Sequence, residues 1–203
     1  MKIICVGRNY TEHAKELNNP VPTKPLIFFK PDTAVLRSNK DFYYPEFTKD
    51  LHFECEMVLR ISREGKYIQP EHVPTYIDGI GLGIDLTARD IQSEAKQKGW
   101  PWTLAKGFND AAPTSDFLNP ARFPDLHDLR FQCKINGELR QDGYTGDMIF
   151  RVPQLISYIT QFITIKKGDL IFTGTPKGVG PLSVGDHIEG WLEDEKLLDF
   201  HVK

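Results

Sequence analysis

The sequence predicts a strand-rich α+β or sandwich-like fold, on three observations. Short apolar runs of strand length outnumber helical periods. Several of these runs follow one another with no helix between them, which disfavours an alternating βαβ sheet. Gly and Pro turns then punctuate the last third of the chain. The 203 residues fit one domain over 1–203, since no repeat, low-complexity tract or long linker divides them. A chain of this length buries roughly 70% of the surface its unfolded form exposes, so its core needs no staples.

Ile3–Val6 reads as a first strand ended by Gly7. Asn9 opens a helix with Glu12 as its capping-box partner, and the helix runs to about Leu17, where Asn18-Asn19-Pro20 stops it. The Pro-rich stretch to Asp50 holds short strands near Leu26–Phe29 and Asp41–Tyr44. The clearest strand is His52–Ser62, with Phe53, Cys55, Met57, Leu59 and Ile61 at every second position. His52, Glu54, Glu56, Val58 and Arg60 therefore share the opposite face. Tyr76–Leu86 forms a second strand with one acid, Asp85, near its end. Thr87 caps a helix over Ala88–Lys98, with Asp90 completing the box, and Trp102–Lys106 reads as a short strand. Asn136-Gly137 sets a hairpin within Phe131–Arg140. Pro153 opens a helix whose apolar stripe is Leu155, Ile156, Ile159, Phe162 and Ile163. Asp169–Thr173, His187–Glu193 and Leu197–Val202 complete the strands.

Composition narrows the function. Lys plus Arg number 25 against 28 Asp plus Glu, a net charge of -3 that argues against a nucleic-acid partner. Three cysteines, Cys5, Cys55 and Cys133, stand in apolar or alternating runs with no metal-ligand spacing, as expected of buried thiols in a reducing compartment. The first residues lack the pattern of a signal or transit peptide, and no run approaches a membrane span. The expectation is a soluble, cytoplasmic protein.

Glu54 and Glu56 project from one strand face, roughly 7 Å apart along the chain. With Asp85, a lone acid at the end of an apolar strand, they offer a hard oxygen site suited to Mg²⁺ or Mn²⁺. A solvated strand face is the competing reading, and the pattern leaves both open. His13 and Glu16 share a helix face, either as an ordinary polar surface or as a pair that fixes one imidazole tautomer for water activation. Lys106 follows apolar Leu104-Ala105 and either snorkels to the surface or faces a developing oxyanion. Thr173-Gly174-Thr175-Pro176-Lys177-Gly178-Val179-Gly180 lacks the spacing of a Walker loop, and Gly79, Gly81 and Gly83 do not complete G-x-G-x-x-G. Nucleotide binding is disfavoured, whereas a turn presenting hydroxyls and N–H groups to a small carboxylate stays open.

The order of these motifs resembles the fumarylacetoacetate hydrolase family. Gly7-Arg8-Asn9-Tyr10 with His13-x-x-Glu16 is similar to its opening motif, and His52-x-Glu54-x-Glu56 to its metal strand. Asp85-Leu86-Thr87-Ala88-Arg89-Asp90-x-Gln92, Trp102–Lys106 and the 173–180 turn complete the series, which spans nearly the whole chain. The length most resembles the compact acylpyruvase and oxaloacetate decarboxylase branch.

The resemblance implies a mixed β-sandwich roll of the family's C-terminal domain type, a homodimer, and Mg²⁺ (or Mn²⁺) held by Glu54, Glu56 and Asp85. It further implies a small 2-oxo acid substrate whose carboxylate and 2-oxo oxygen chelate the metal. His13 and Glu16, on a helix closing as a lid, would activate water, while Lys106 with Gln92 stabilises the oxyanion. Arg8, Thr175 and Gly174 would bind the substrate. The implied activity is hydrolysis of carbon–carbon bonds in acylpyruvates, or decarboxylation of oxaloacetate through a pyruvate enolate. The alternatives are an isomerase/decarboxylase of aromatic catabolism acting on a larger dicarboxylate, an oxaloacetate keto–enol tautomerase, and a non-catalytic metal- or ligand-binding protein.

Overall fold

The computed structural model describes residues 1–16 and 20–203, so the expected helix stop around Leu17, Asn18 and Asn19 lies outside the described residues. β1 (Ile3–Gly7) is followed by α1 (Thr11–Glu16), then by β2 (Leu26–Lys30), which pairs antiparallel with β1. After β3 (Val35–Leu36), the long strand expected over His52–Ser62 divides into β4 (Leu51–Phe53) and β5 (Cys55–Ile61). Its neighbour divides likewise into β6 (Ile77–Ile84) and β7 (Thr87–Ala88).

The two breaks coincide. Cys55 pairs with Ile84 and His52 with Thr87 in one continuous antiparallel register, which sets Glu54 opposite Asp85. The Asp85 N–H donates to the Glu54 carbonyl at 2.8 Å, so the ribbon holds together across the break.

α2 (Arg89–Lys98) and α3 (Thr103–Lys106) follow, then β8 (Ala112–Pro113), which pairs parallel with β3. β9 (Arg130–Ile135) and β10 (Glu138–Tyr144) form the expected hairpin, where Asn136 and Gly137 take φ of 55° and 81° as a type I′ turn requires. α4 (Val152–Phe162) starts with Pro153 in its first turn. β11 (Leu170–Phe172), β12 (Gly180–Pro181), β13 (His187–Leu192) and β14 (Glu195–His201) complete the chain.

One sheet runs β2-β1-β11-β5-β6, with β1 and β11 parallel and the other pairs antiparallel. An antiparallel sheet, β10-β9-β13-β14, packs against it where β13 and β14 meet β6. At the divided ribbon the chain changes sheets: β5 and β6 belong to the first, while β4 and β7 join β12 in a small third one. Met57, Leu59, Leu82, Phe131, Phe172 and Phe200 lie in the shared core.

Several local expectations give way to tertiary partners. Trp102–Lys106 is not a strand, because Thr103–Lys106 closes a single helical turn in which Lys106 N–H donates to the Trp102 carbonyl at 3.0 Å. Asn9 does not cap α1; its amide bridges the Phe150 and Thr173 carbonyls and accepts the Phe150 N–H. Glu12 pairs with Lys15 instead of closing a capping box. Ala88 precedes α2 without a side-chain cap, Asp90 being bound to Thr48 and the Lys49 N–H. Asp41–Tyr44 is an extended edge with one bridge, Phe42 to Val202, rather than a strand. Phe162, expected in the stripe of α4, is 67% exposed.

Gly79, Gly81 and Gly83 serve close packing along β6. A Cβ on Gly83 would lie 2.6 Å from the Phe172 ring and 2.9 Å from Val58. Gly83→Ala should therefore cost about 1–3 kcal/mol, as overpacking does. Urea denaturation measures this, with the midpoint expected to fall at an unchanged slope.

Candidate active site

Glu54, Glu56 and Asp85 are 6%, 2% and 1% exposed, and one carboxylate oxygen of each lies within 4.8 Å of the others. Burial to this degree replaces the solvated-face reading. The ribbon explains it: Glu54 and Asp85 sit opposite each other at the divide, and Glu56 lies two residues on along the same face.

Buried negative charge needs compensation, and three cations supply it. Lys106 Nζ donates to Glu54 Oε2 at 2.9 Å, Asp85 Oδ2 at 2.7 Å and Thr87 Oγ1 at 2.6 Å. Arg89 donates to Glu54 Oε1 at 2.6 Å and to Gln92 Oε1 at 2.7 Å, which fixes the Gln92 amide. Lys30 at the end of β2 is fully buried, with Nζ 2.7 Å from Asp85 Oδ1. Its three N–H groups go to the Leu86, Lys106 and Ala111 carbonyls.

These pairings set the ionisation pattern. Burial alone would raise the Glu54 pKa, but Lys106 and Arg89 overcome it and hold the carboxyl well below its usual range. Glu56 is pushed well up, first by burial and then by the charge of Asp85, against the stabilising Gly174 N–H. Burial pulls the Lys106 ammonium down, and Asp85 and Glu54 more than offset it, so its pKa is raised. Two unlike carboxylates thus stand side by side, the arrangement that clusters at functional sites.

The 173–175 segment leaves β11 alongside β5. Gly174 N–H donates to Glu56 Oε2 at 2.7 Å, and its φ of +101° and a Cβ position 2.6 Å from Asn9 Cβ restrict this place to glycine. Thr175 Oγ1 donates to the Cys55 carbonyl and accepts from Gln141 Nε2, while Gln141 Oε1 accepts the Cys55 N–H. Gly174 and Thr175 thereby fix the strand that carries the two glutamates.

α1 brings His13 to the same cavity. Its Nδ1 lies 3.1 Å from Glu16 Oε2, and Glu16 Oε1 accepts the Gly178 N–H at 2.9 Å. Val6, Gly7, Arg8, His13, Phe28, Glu54, Glu56, Asp85, Arg89, Gln92, Lys96, Trp102, Lys106 and Thr175 line one cavity. Every expected site residue except Glu16 and Gly174 lines it directly, and those two touch residues that do.

Sequence reasoning missed Lys30, Arg89 and Gln141 as parts of the site. The signal for Lys30 was a lone lysine closing the apolar run Leu26–Phe29, and for Arg89 its place between Asp85 and Gln92. Gln141 lies beside a register shift in β10, which leaves no mark in the sequence.

The donor set fits a hard divalent cation. Three buried carboxylates converge, and Asp85 Oδ1, although in ionic contact with Lys30, accepts no directed hydrogen bond. Clustered carboxylate oxygens of this kind match Mg²⁺ or Mn²⁺.

Fold and cavity together describe an enzyme with a site able to hold a metal. Residues 2–202 match the family model for the fumarylacetoacetate (FAA) hydrolase C-terminal domain. Over 201 residues the chain is 44% identical to oxaloacetate tautomerase FAHD1, mitochondrial, of Mus musculus, covering 99% of this chain and 91% of that protein. Among solved structures, a fumarylacetoacetate hydrolase family protein from Yersinia pestis CO92 superposes with a TM-score of 0.96 at 37% identity, over 100% of this chain and 93% of that one. Fumarylpyruvate hydrolase from Pseudomonas aeruginosa, in complex with Mn²⁺ and pyruvate, gives 0.94 at 32%, over 100% and 89%. The chain belongs to the fumarylacetoacetate hydrolase family, and it is an enzyme with that family's strand-rich fold.

Lys30→Met should lower stability by about 3–5 kcal/mol, because it strands a buried carboxylate beside an incomplete set of cations. Guanidinium denaturation checks this. The double variant with Asp85→Asn should recover much of the loss, and an equal or larger loss would contradict the charge-balance account.

Proposed function

We propose that this enzyme uses Mg²⁺ or Mn²⁺ for proton transfer on small 2-oxo acids, with oxaloacetate keto–enol tautomerisation as the leading reaction. One observation carries the reading: the His13–Glu16 pair and the carboxylate triad share one cavity. Support for tautomerisation comes from the full-length similarity to proteins named oxaloacetate tautomerase.

A divalent cation held by Glu54, Glu56 and Asp85 would supply Lewis acidity toward a 2-oxo group. The chain's own residues do the rest. Glu16 accepts from His13 Nδ1, which fixes the tautomer that leaves Nε2 as the base. His13 Nε2 takes a proton from the carbon beside the 2-oxo group and a proton is delivered to the 2-oxo oxygen, giving the enol. The reverse transfers regenerate the keto form, so neither water nor a leaving group is needed. Gln92, held by Arg89 through its Oε1, offers its amide N–H to the oxygen where negative charge develops. Lys106, whose N–H groups go to Glu54, Asp85 and Thr87, acts on that oxygen through its charge. Arg8 stands at the cavity wall as the partner for the substrate carboxylate. Thr175, whose hydroxyl proton goes to the Cys55 carbonyl, supports that wall beside it, and Gly174 contributes by orienting Glu56.

The second reading is hydrolysis of acylpyruvates, or decarboxylation of oxaloacetate, in the same cavity. Similarity to a fumarylpyruvate hydrolase that binds Mn²⁺ and pyruvate supports it. Here His13 would deprotonate a water, and Lys106 with Gln92 would receive the oxyanion. One catalytic domain over 1–203 and a homodimer enter the proposal from the sequence resemblance. A cytoplasmic location enters from cysteine usage, and all three thiols are free and buried.

Following the enol absorbance of oxaloacetate, its conversion to pyruvate, and the loss of acetylpyruvate, each with Mg²⁺ and with EDTA, separates the readings. Metal-dependent equilibration of oxaloacetate with little pyruvate is the expected result. Dominant pyruvate formation would favour the second reading, and no metal-dependent turnover of any of the three would overturn both. His13→Ala should lower turnover by about 10²–10⁴-fold, the range for a lost general base. Mg²⁺ binding, followed by calorimetry, should survive that substitution.

A further inference from the structure

The cations that line the cavity divide into two groups. Arg89 and Lys106 are paired with the carboxylate triad. Arg8 and Lys96 line the same cavity and, among the described residues, make no ion pair. Two positive charges therefore face the enclosure unmatched.

Lys96 is placed by its helix. Arg89, Gln92 and Lys96 stand at i, i+3 and i+7 of α2, one face of a helix, and all three line the cavity. Gln92 is buried and Lys96 is exposed, so the face runs from the interior outward.

An aromatic wall runs the same way. Phe28 and Trp102 meet edge to face with ring centroids 5.9 Å apart. The Lys106 ammonium lies 5.1 Å from the Phe28 ring, next to the triad, and the Lys96 ammonium lies 5.5 Å from the Trp102 ring. Both distances are within cation–π range, so each aromatic holds one lysine in place. Partial burial lowers the Lys96 pKa, and the neighbouring Arg89 and Arg8 charges add to the effect. An anion seated there would relieve that crowding.

From this geometry we propose that Lys96 is a specificity-determining residue: it pairs with the distal carboxylate of a four-carbon 2-oxo diacid whose 2-oxo end lies at the triad. The inference rests on the 2-oxo acid reading above and narrows it. A monoacid of the same length leaves Lys96 unmatched, so the cavity selects for charge at the far end. The same feature separates oxaloacetate from acetylpyruvate, which ends in a methyl group.

The test is calorimetric binding of oxaloacetate and of 2-oxobutyrate to the Mg²⁺-loaded protein, for the native chain, Lys96→Met and Lys96→Arg. The native protein is expected to bind the diacid at least about tenfold more tightly, a difference of about 1.4 kcal/mol. Lys96→Met should reduce that preference to less than about twofold, mainly by weakening the diacid, and Lys96→Arg should restore most of it. Met keeps helix propensity at this exposed position, so the variant should fold. The proposal is overturned if the native protein shows no diacid preference, or if Lys96→Met weakens both ligands equally or neither. A Lys96-dependent preference without turnover of any 2-oxo acid would uphold it while removing the catalytic reading.

Discussion

Asp85 lies between two buried lysines. Lys106 donates to one of its oxygens at 2.7 Å and Lys30 stands 2.7 Å from the other, with all three side chains almost without solvent. Burying a single ion costs several kcal/mol, and a carboxylate in this setting persists only among close counter-charges. Glu54 meets the same requirement through Lys106 and Arg89. The cations come from separate elements: Lys30 from β2, Arg89 from α2, Lys106 from α3. The edge of the main sheet, helix α2 and the single-turn helix α3 are therefore all held around one charge cluster. Lys30 adds backbone cross-links, because its three carbonyl partners lie between β6 and β7, at the end of α3 and just before β8.

A second constraint is the divided ribbon. Had β4–β5 and β6–β7 remained one uninterrupted pair in one sheet, Glu54 and Asp85 would project into a packed interface. The chain instead changes sheets at that level, and the parting of the two sheets leaves room beside the acids. The register survives the change, through the Asp85 N–H to Glu54 carbonyl bond, so the carboxylates keep their relative placement. Gln141 supports the same point from the second sheet by holding the Cys55 N–H and Thr175 together. Both sheets thus bear on the geometry of the carboxylates.

Much of this was legible in the sequence, for a physical reason. The period-2 pattern of His52–Ser62 put Glu54 and Glu56 on one face, and Asn136-Gly137 fixed the hairpin, because both signals are local. Local signals failed where a long-range partner claimed the same group. Asn9 and Thr87 are good helix caps by type, yet Asn9 ties Phe150 to Thr173 and Thr87 receives Lys106. Leu104-Ala105-Lys106 looked like a strand because an apolar pair before a lysine fits both periods. Lys30 stayed hidden because a lysine ending a strand is usually solvated, and only the pairing of β2 with β1 brings it inside. The family resemblance supplied what local patterns could not, namely which distant motifs meet.

The site also separates a rigid part from a lightly held one. Glu56 stands on β5 of the core sheet, and Glu54 and Asp85 stand at the divide beside it, with Lys30 and Lys106 buried around them. His13 stands on α1, where His13 and Ala14 are buried among the described residues Thr11–Glu16. Its position depends on tertiary contacts. Those near the site include the Glu16 to Gly178 hydrogen bond and the Asn9 bridge preceding the helix. Both are polar and few, which places α1 at the low end of local stability relative to the sheet. The His13 imidazole thus rests on contacts separate from those that fix the carboxylates. The carboxylate geometry and the placement of His13 are therefore set by different parts of the chain, the first by buried charge and the second by a handful of side-chain to backbone hydrogen bonds.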